Sequence, residues 1–179
     1  NDKHKPHSIL ECKNAKKISI EFSSTSKSYS MAGCRVGFAV GSPKLISSLA
    51  KIKAYLDYGS FSPLQKAAIV ALSEKSDPYL AEIRKTYSGR ADFLIALLQK
   101  ELDWNIKKPD AGMYLWAQLP KKFQHINSFD FCKKLILECS VAFCPGSSFG
   151  KNGEGYVRIS LIHNEENMKK AIQNIQKIF

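Results

Sequence analysis

The stretch SSTSKSYSMAGCRVG, residues 23–37, crowds hydroxyls around one lysine: Ser24, Thr25, Ser26 and Ser28 flank Lys27. Arg35 follows between Gly33 and Gly37. No amphipathic period accounts for a lysine in this setting. The residues alone leave two readings open. One is a solvated loop. The other is a lysine that does covalent chemistry beside a bound phosphate. A lysine amine attacks a carbonyl only in its neutral form, which desolvation and a neighbouring cation favour, and Arg35 is a candidate for that cation. Arg35 also suits a two-pronged grip on phosphate, with a Ser24 hydroxyl beside it and glycines that let backbone come close. The pattern is S-x-S-K with R-x-G to follow. It is not the GxxxxGK[ST] of a Walker loop.

Outward from this loop the chain alternates strand and helix signals, an α/β pattern. KKISIEF, with Ile18, Ile20 and Phe22 on one face, predicts a strand running into the loop, and RVGFAVG predicts a second, buried one. Ser42-Pro43 then supplies an N-cap and an N1 proline for a helix carrying Leu45, Leu49, Ile52 and Leu56. A helix from Leu64 to about Ser73 is expected next. Asp77-Pro78 opens the longest helix, whose stripe of Leu80, Ile83, Tyr87, Ala91, Leu94 and Leu98 carries it to about Leu102. Beyond it the pattern predicts a strand at GMYLWAQLP, a helix capped by Ser128, a short strand at VAFC, and a loop at PGSSFGKNGEG. A strand at GYVRISL and a last helix capped by Asn164 close the order. A long helix can bridge two packed units, so a domain boundary is expected near residues 73–78.

In GYVRISL the pleat sends Val157, Ile159 and Leu161 to one face and Tyr156, Arg158 and Ser160 to the other. Arg158, in the middle of a short apolar strand, needs a partner, because burying an unpaired charge is costly. A structural carboxylate is one such partner and a ligand carboxylate another.

The chain has 179 residues, 44% hydrophobic and 24% charged, with a net charge of +11. The lysines are scattered among acids and no nucleic-acid motif accompanies them, so nucleic-acid binding is not expected. No apolar run approaches the roughly 18 residues of a membrane span, and no membrane partner is expected. Five cysteines without CxxC spacing point to a reduced, cytoplasmic protein, and no metal site is expected. His4, His7, His125 and His163 read as surface residues, Gly146, Gly150 and Gly153 as loop turns, and Met113, Tyr114 and Trp116 as strand packing. Tyr58 reads as a core or a surface residue.

SSTSKSYSMAGCRVGFAVGSPKLI closely resembles the pyridoxal-phosphate attachment segment of class I/II aminotransferases of the fold-type I group. The resemblance continues in order through YLDYGSFSPLQKAAIVAL, AGMYLWAQLP, PGSSFGKNGEGYVRISL and the closing helix. It implies pyridoxal 5'-phosphate as cofactor, Lys27 as its Schiff-base lysine and later proton shuttle, and Ser24, Ser26 and Arg35 around the phosphate. It implies that Arg158 binds the substrate α-carboxylate, and that Tyr58 lies where relatives reach toward a partner's active site. Cys34 departs from the large residue, often Trp, that many relatives carry before the arginine.

The family's aspartate for the pyridine nitrogen lies upstream of the lysine. Asp2 has no matching surroundings, and the glycine-led cofactor segment and substrate-facing arm have no counterpart. The resemblance therefore implies the C-terminal portion of an aminotransferase. Residues 1–74 would be the last elements of the large cofactor-binding domain, and residues 75–179 the small α/β domain. The parent, a homodimer, would exchange an amino group between an amino acid and a 2-oxo acid. The chain alone would be inactive and bind the cofactor poorly, with association through residues 18–40. A fold-type I lyase and a non-catalytic basic binding module are the alternatives.

Overall fold

A computed structural model describes residues 6–179. The fold divides into two compact units, one of the described residues up to Ile83 and one of Arg84–Phe179. The division falls inside the longest helix.

The first unit opens with a short helical turn, α1 (Ala15–Ile18), and strand β1 (Ile20–Ser24). A helical turn, α2 (Thr25–Ser28), and a loop lead to β2 (Gly37–Gly41), which pairs antiparallel with β1. Helices α3 (Pro43–Leu56) and α4 (Ser62–Ala71) follow. Ile18 is not in the expected strand. The amide and hydroxyl of Ser19 both donate to the Ala15 carbonyl, at 2.8 and 2.7 Å, and close a helical turn that leaves Ile18 exposed. Nor is β2 buried: each of its residues is exposed or half-buried, and only β1 pairs with it among the described residues. Pro43 starts α3 as expected, although the Ser42 hydroxyl makes no capping bond. A groove of about 790 Å³ between this sheet and α3 is lined by Phe22, Phe38, Ile46, Leu49, Ala50 and Tyr58 among others. The only buried hydrophobic residues described in this unit are Ala15 and Ala68.

Helix α5 (Asp77–Leu102) carries the expected stripe, with Ala91, Leu94, Leu98 and Leu102 buried. The second unit continues with β3 (Tyr114–Gln118), α6 (Ser128–Cys139), β4 (Cys144–Pro145), β5 (Tyr156–Ser160) and α7 (Glu165–Ile175). Its sheet is antiparallel, in the order β3-β5-β4. One core runs from α5 through β3, α6 and β5 to α7, with Leu98, Leu115, Phe131, Leu135, Val157, Leu161 and Ile175 almost fully enclosed. Each such side chain contributes roughly 1.5–3 kcal/mol of transfer free energy. Trp104 sits edge-on to Phe131 and donates its indole N–H to the Gln118 carbonyl at 2.7 Å.

Two expectations are corrected in this unit. Helix α6 is capped by Asn127, whose side chain accepts from the Asp130 amide at 2.8 Å. Ser128 is instead fully buried and bonded to Glu154. Of the VAFC strand only Cys144 joins the ladder, followed by Pro145, opposite Arg158 and Val157. The Asn164 cap holds as expected, accepting from the Asn167 amide at 3.0 Å.

Candidate functional site

The register of β1 on β2 sets Ser24 against Gly37 and so closes the 25–36 loop at its base. A Cβ on Gly37 would stand 2.9 Å from the Ser23 carbonyl, so the pairing requires glycine there. The Val36 carbonyl gathers three donors: the Thr25 amide at 3.1 Å, the Thr25 hydroxyl at 2.9 Å and the Ser24 hydroxyl at 3.4 Å. Thr25 is fully buried, and the sequence reading missed its anchoring role. Its only prior signal was a β-branched residue among serines. Ser24 also accepts from the Ser26 amide at 3.1 Å, which caps the turn that carries Lys27.

Lys27 is exposed and forms no ion pair among the described residues. Arg35 is exposed as well, at φ 54 and ψ 41, a left-handed backbone that is uncommon outside glycine. Its guanidinium donates once, to the Ala32 carbonyl at 3.1 Å. No acid lies between residues 23 and 37, so two cations share one loop without a countercharge in it. The nearest upstream carboxylate, Glu21, is engaged by the Ser8 hydroxyl at 2.7 Å and the Ile9 amide at 3.0 Å. Such a loop attracts anions. A primary amine, a guanidinium and two serine hydroxyls form a donor set that fits an aldehyde bearing a phosphate. The Ser24 hydroxyl would have to turn from Val36 to serve a phosphate.

Arg158 belongs to the other unit. Its strand follows the expected pleat, with Val157, Ile159 and Leu161 buried and Arg158 half-buried on the opposite face. The structural carboxylate considered for it is not there: among the described residues Arg158 makes no ion pair. Its guanidinium carbon lies instead over the Tyr114 ring at 4.3 Å and over the Phe149 ring at 4.7 Å. Trp116, directly across the ladder from Arg158, stacks on Tyr156 at 5.6 Å and meets Phe149 edge-on at 5.5 Å. Tyr114 and Trp116 thus line the polar face rather than the core, because β3 alternates and Leu115 and Ala117 take the core positions.

The loop that carries Phe149 is two short 3-10 turns, Gly146–Phe149 and Lys151–Gly153. Gly146 and Gly153 do more than turn. A Cβ on Gly146 would stand 2.0 Å from the Gly153 carbonyl, and one on Gly153 would stand 2.1 Å from that of Gly146. Gly150, at φ +110, does serve a turn. Glu154 ties the loop to α6, accepting from the Ser128 amide at 2.6 Å, the Ser128 hydroxyl at 3.1 Å and the Gly155 amide at 2.8 Å. The Ser128 amide first, and then that of Gly155, hold the Glu154 carboxyl below the usual carboxylate range.

Tyr58 is almost wholly exposed. His7, His125 and His163 are exposed, and His4 lies outside the described residues. No cluster of metal-ligating side chains occurs among the described residues, and no helix there is long and apolar enough to cross a membrane.

The chain matches the family model for aminotransferase class I and II over residues 4–175. It is 42% identical over 178 residues to the glutamate-pyruvate aminotransferase AlaC of Escherichia coli (strain K12), covering 99% of this chain and 43% of that protein. It is 44% identical over 174 residues to an LL-diaminopimelate aminotransferase of Maridesulfovibrio salexigens, covering 97% of this chain and 44% of the relative. Apo-BacF from Bacillus subtilis superposes with a TM-score of 0.91 at 37% identity, over 98% of this chain and 44% of that one. The chain thus spans less than half the length of these relatives. With the match running almost from end to end, it belongs to the class I and II aminotransferase family.

Proposed function

We propose that this chain works within a protein of its relatives' length, where it helps to move an amino group from an amino acid to a 2-oxo acid. The observation that carries the reading is the loop that sets Lys27, Ser24 and Arg35 on one base, in a chain of this family. Lys27 would hold pyridoxal 5'-phosphate, with Ser24, Ser26 and Arg35 around the phosphate. Bound there, the cofactor would supply an aldehyde that condenses with amines and a ring that draws electrons from the substrate.

The chain's own residues do the rest. Lys27 would give its amine to hold the aldehyde and would hold and move a proton at the substrate α-carbon. Arg35 and Ser24 fix the phosphate end, and Arg158 orients the substrate through its α-carboxylate. The relatives are named for different amino acids, and the reading commits to the α-amino acid shared by them.

The two compact units support a two-part organisation. Residues 1–74 are read as the close of the cofactor-binding domain and residues 75–179 as the small domain. The fragment alone would be inactive. We place the protein in the cytoplasm as a homodimer, the latter supported by the exposed Tyr58 and Phe61 beside α4.

Borohydride reduction of the full-length, cofactor-loaded protein followed by peptide mapping tests the assignment. The label should fall on Lys27, and a label on another lysine would overturn it. Product analysis with a 2-oxo acid acceptor separates amino transfer from a lyase reaction.

A further inference from the structure

Arg158 makes no ion pair among the described residues, yet its surroundings are built in detail. Its guanidinium rests against Tyr114, a rung of β3, and against Phe149, at the end of a 3-10 turn. Phe149 is braced by the edge of Trp116, which is itself stacked on Tyr156. The turn behind Phe149 is held by the close approach of Gly146 and Gly153 and by the bonds among Ser128, Ser147 and Glu154. An ion pair would hold Arg158 by consuming its N–H donors. Aromatic rings hold it by attraction to the cation and spend none of them.

We propose that Tyr114 and Phe149 are positioning residues that fix the Arg158 guanidinium and leave its N–H edge free for a carboxylate. The proposal rests on the reading that Arg158 takes the substrate α-carboxylate. An unclamped arginine would have to give up rotamer freedom on each binding event, and a clamped one has already given it up. The partner this arrangement fits is planar and two-pronged, like the carboxylate of a free amino acid.

The test compares the dissociation constants of two amines, read before any turnover, on the full-length, cofactor-loaded protein. One is 2-methylalanine, which carries the α-carboxylate and has no α-hydrogen to lose. The other is isopropylamine, the same amine without the carboxylate. The ratio of their dissociation constants reads what the carboxylate contributes. Arg158→Ala should bring that ratio close to one. Phe149→Leu and Tyr114→Leu should each lower it by about three- to tenfold with isopropylamine affinity unchanged. Tyr114→Phe and Phe149→Tyr, which keep the rings, should preserve it.

If Arg158→Ala lowers the ratio while both leucine variants keep it, the clamp is wrong and the carboxylate reading stands. If Arg158→Ala keeps the ratio, both fall. Phe149 is about half exposed, at 51%, so its leucine variant spares the core and decides the matter even if Tyr114→Leu does not fold.

Discussion

Gly146→Ala should be among the most damaging single-methyl changes in the Arg84–Phe179 unit. The new Cβ would stand 2.0 Å from the Gly153 carbonyl and 2.6 Å from the Tyr156 carbonyl, where ordinary contact begins at 3.4 Å. Both obstacles are backbone, so no side chain can rotate away and one segment must shift by well over an ångström. The segments are pinned, on one side by β5 and on the other by the Glu154 bonds to Ser128 and Gly155. Overpacking of this kind costs about 3 kcal/mol, a large share of the stability of a typical domain. Gly89→Ala provides the contrast. It lies inside α5 with nothing within 4 Å of its Cβ, and it should stabilise by about 0.5–1 kcal/mol. Equilibrium urea unfolding followed by tryptophan fluorescence reads both, because Trp104 and Trp116 are the only tryptophans and both lie in this unit. A Gly146→Ala midpoint indistinguishable from wild type would refute the steric argument.

Acid should weaken the tie between α6 and the Phe149 loop. The folded Glu154 carboxyl lies below its ordinary value of 4.5, so its stabilisation is complete above that value and is lost as pH falls through the lower folded one. Glu154→Gln should therefore lose less stability than wild type between about pH 6 and about pH 3, and equal losses would contradict the assignment. Thiol chemistry gives a further check. The Cys132 thiol is pushed up to about 12, by burial first and by the nearby Cys144 second, whereas Cys12 is exposed. With iodoacetamide at mildly alkaline pH, Cys12 of the folded chain should label readily and Cys132 only on unfolding. Equal rates would show that the α6 core is open.

The elements legible in the sequence were those whose signal is local. The stripe of α5 carries its own period, Asn164 caps within three residues, and the alternation of β5 placed Arg158 opposite the core before any neighbour was known. Distant partners decided the remainder. Asn127 and Ser128 are both good caps. Glu154, 26 residues from Ser128, claims the serine and leaves the asparagine to cap. Val141 is apolar enough for a strand but stands outside the two ladder pairs that β4 makes with β5. At the site, spacing singled out the lysine, serines and arginine but left a solvated loop open, and their roles came only as what the family resemblance implies. The burial of Thr25 depends on Val36, eleven residues away, and the aromatic partners of Arg158 follow only from the β3–β5 register and the fold of the Phe149 loop.

Arg35 carries a side chain where its backbone would suit glycine better. At φ 54 an L-residue is strained by about 1–2 kcal/mol relative to right-handed helical backbone, and glycine escapes most of that penalty. The loop already holds Gly33 and Gly37, so glycine is no stranger to this turn. Backbone comfort and cationic charge therefore compete for a single position, and here charge has prevailed. Exchanging that arginine for glycine would ease the chain and empty the loop of its guanidinium together. On the proposed function, folding stability and phosphate affinity would thus be set against each other at one residue.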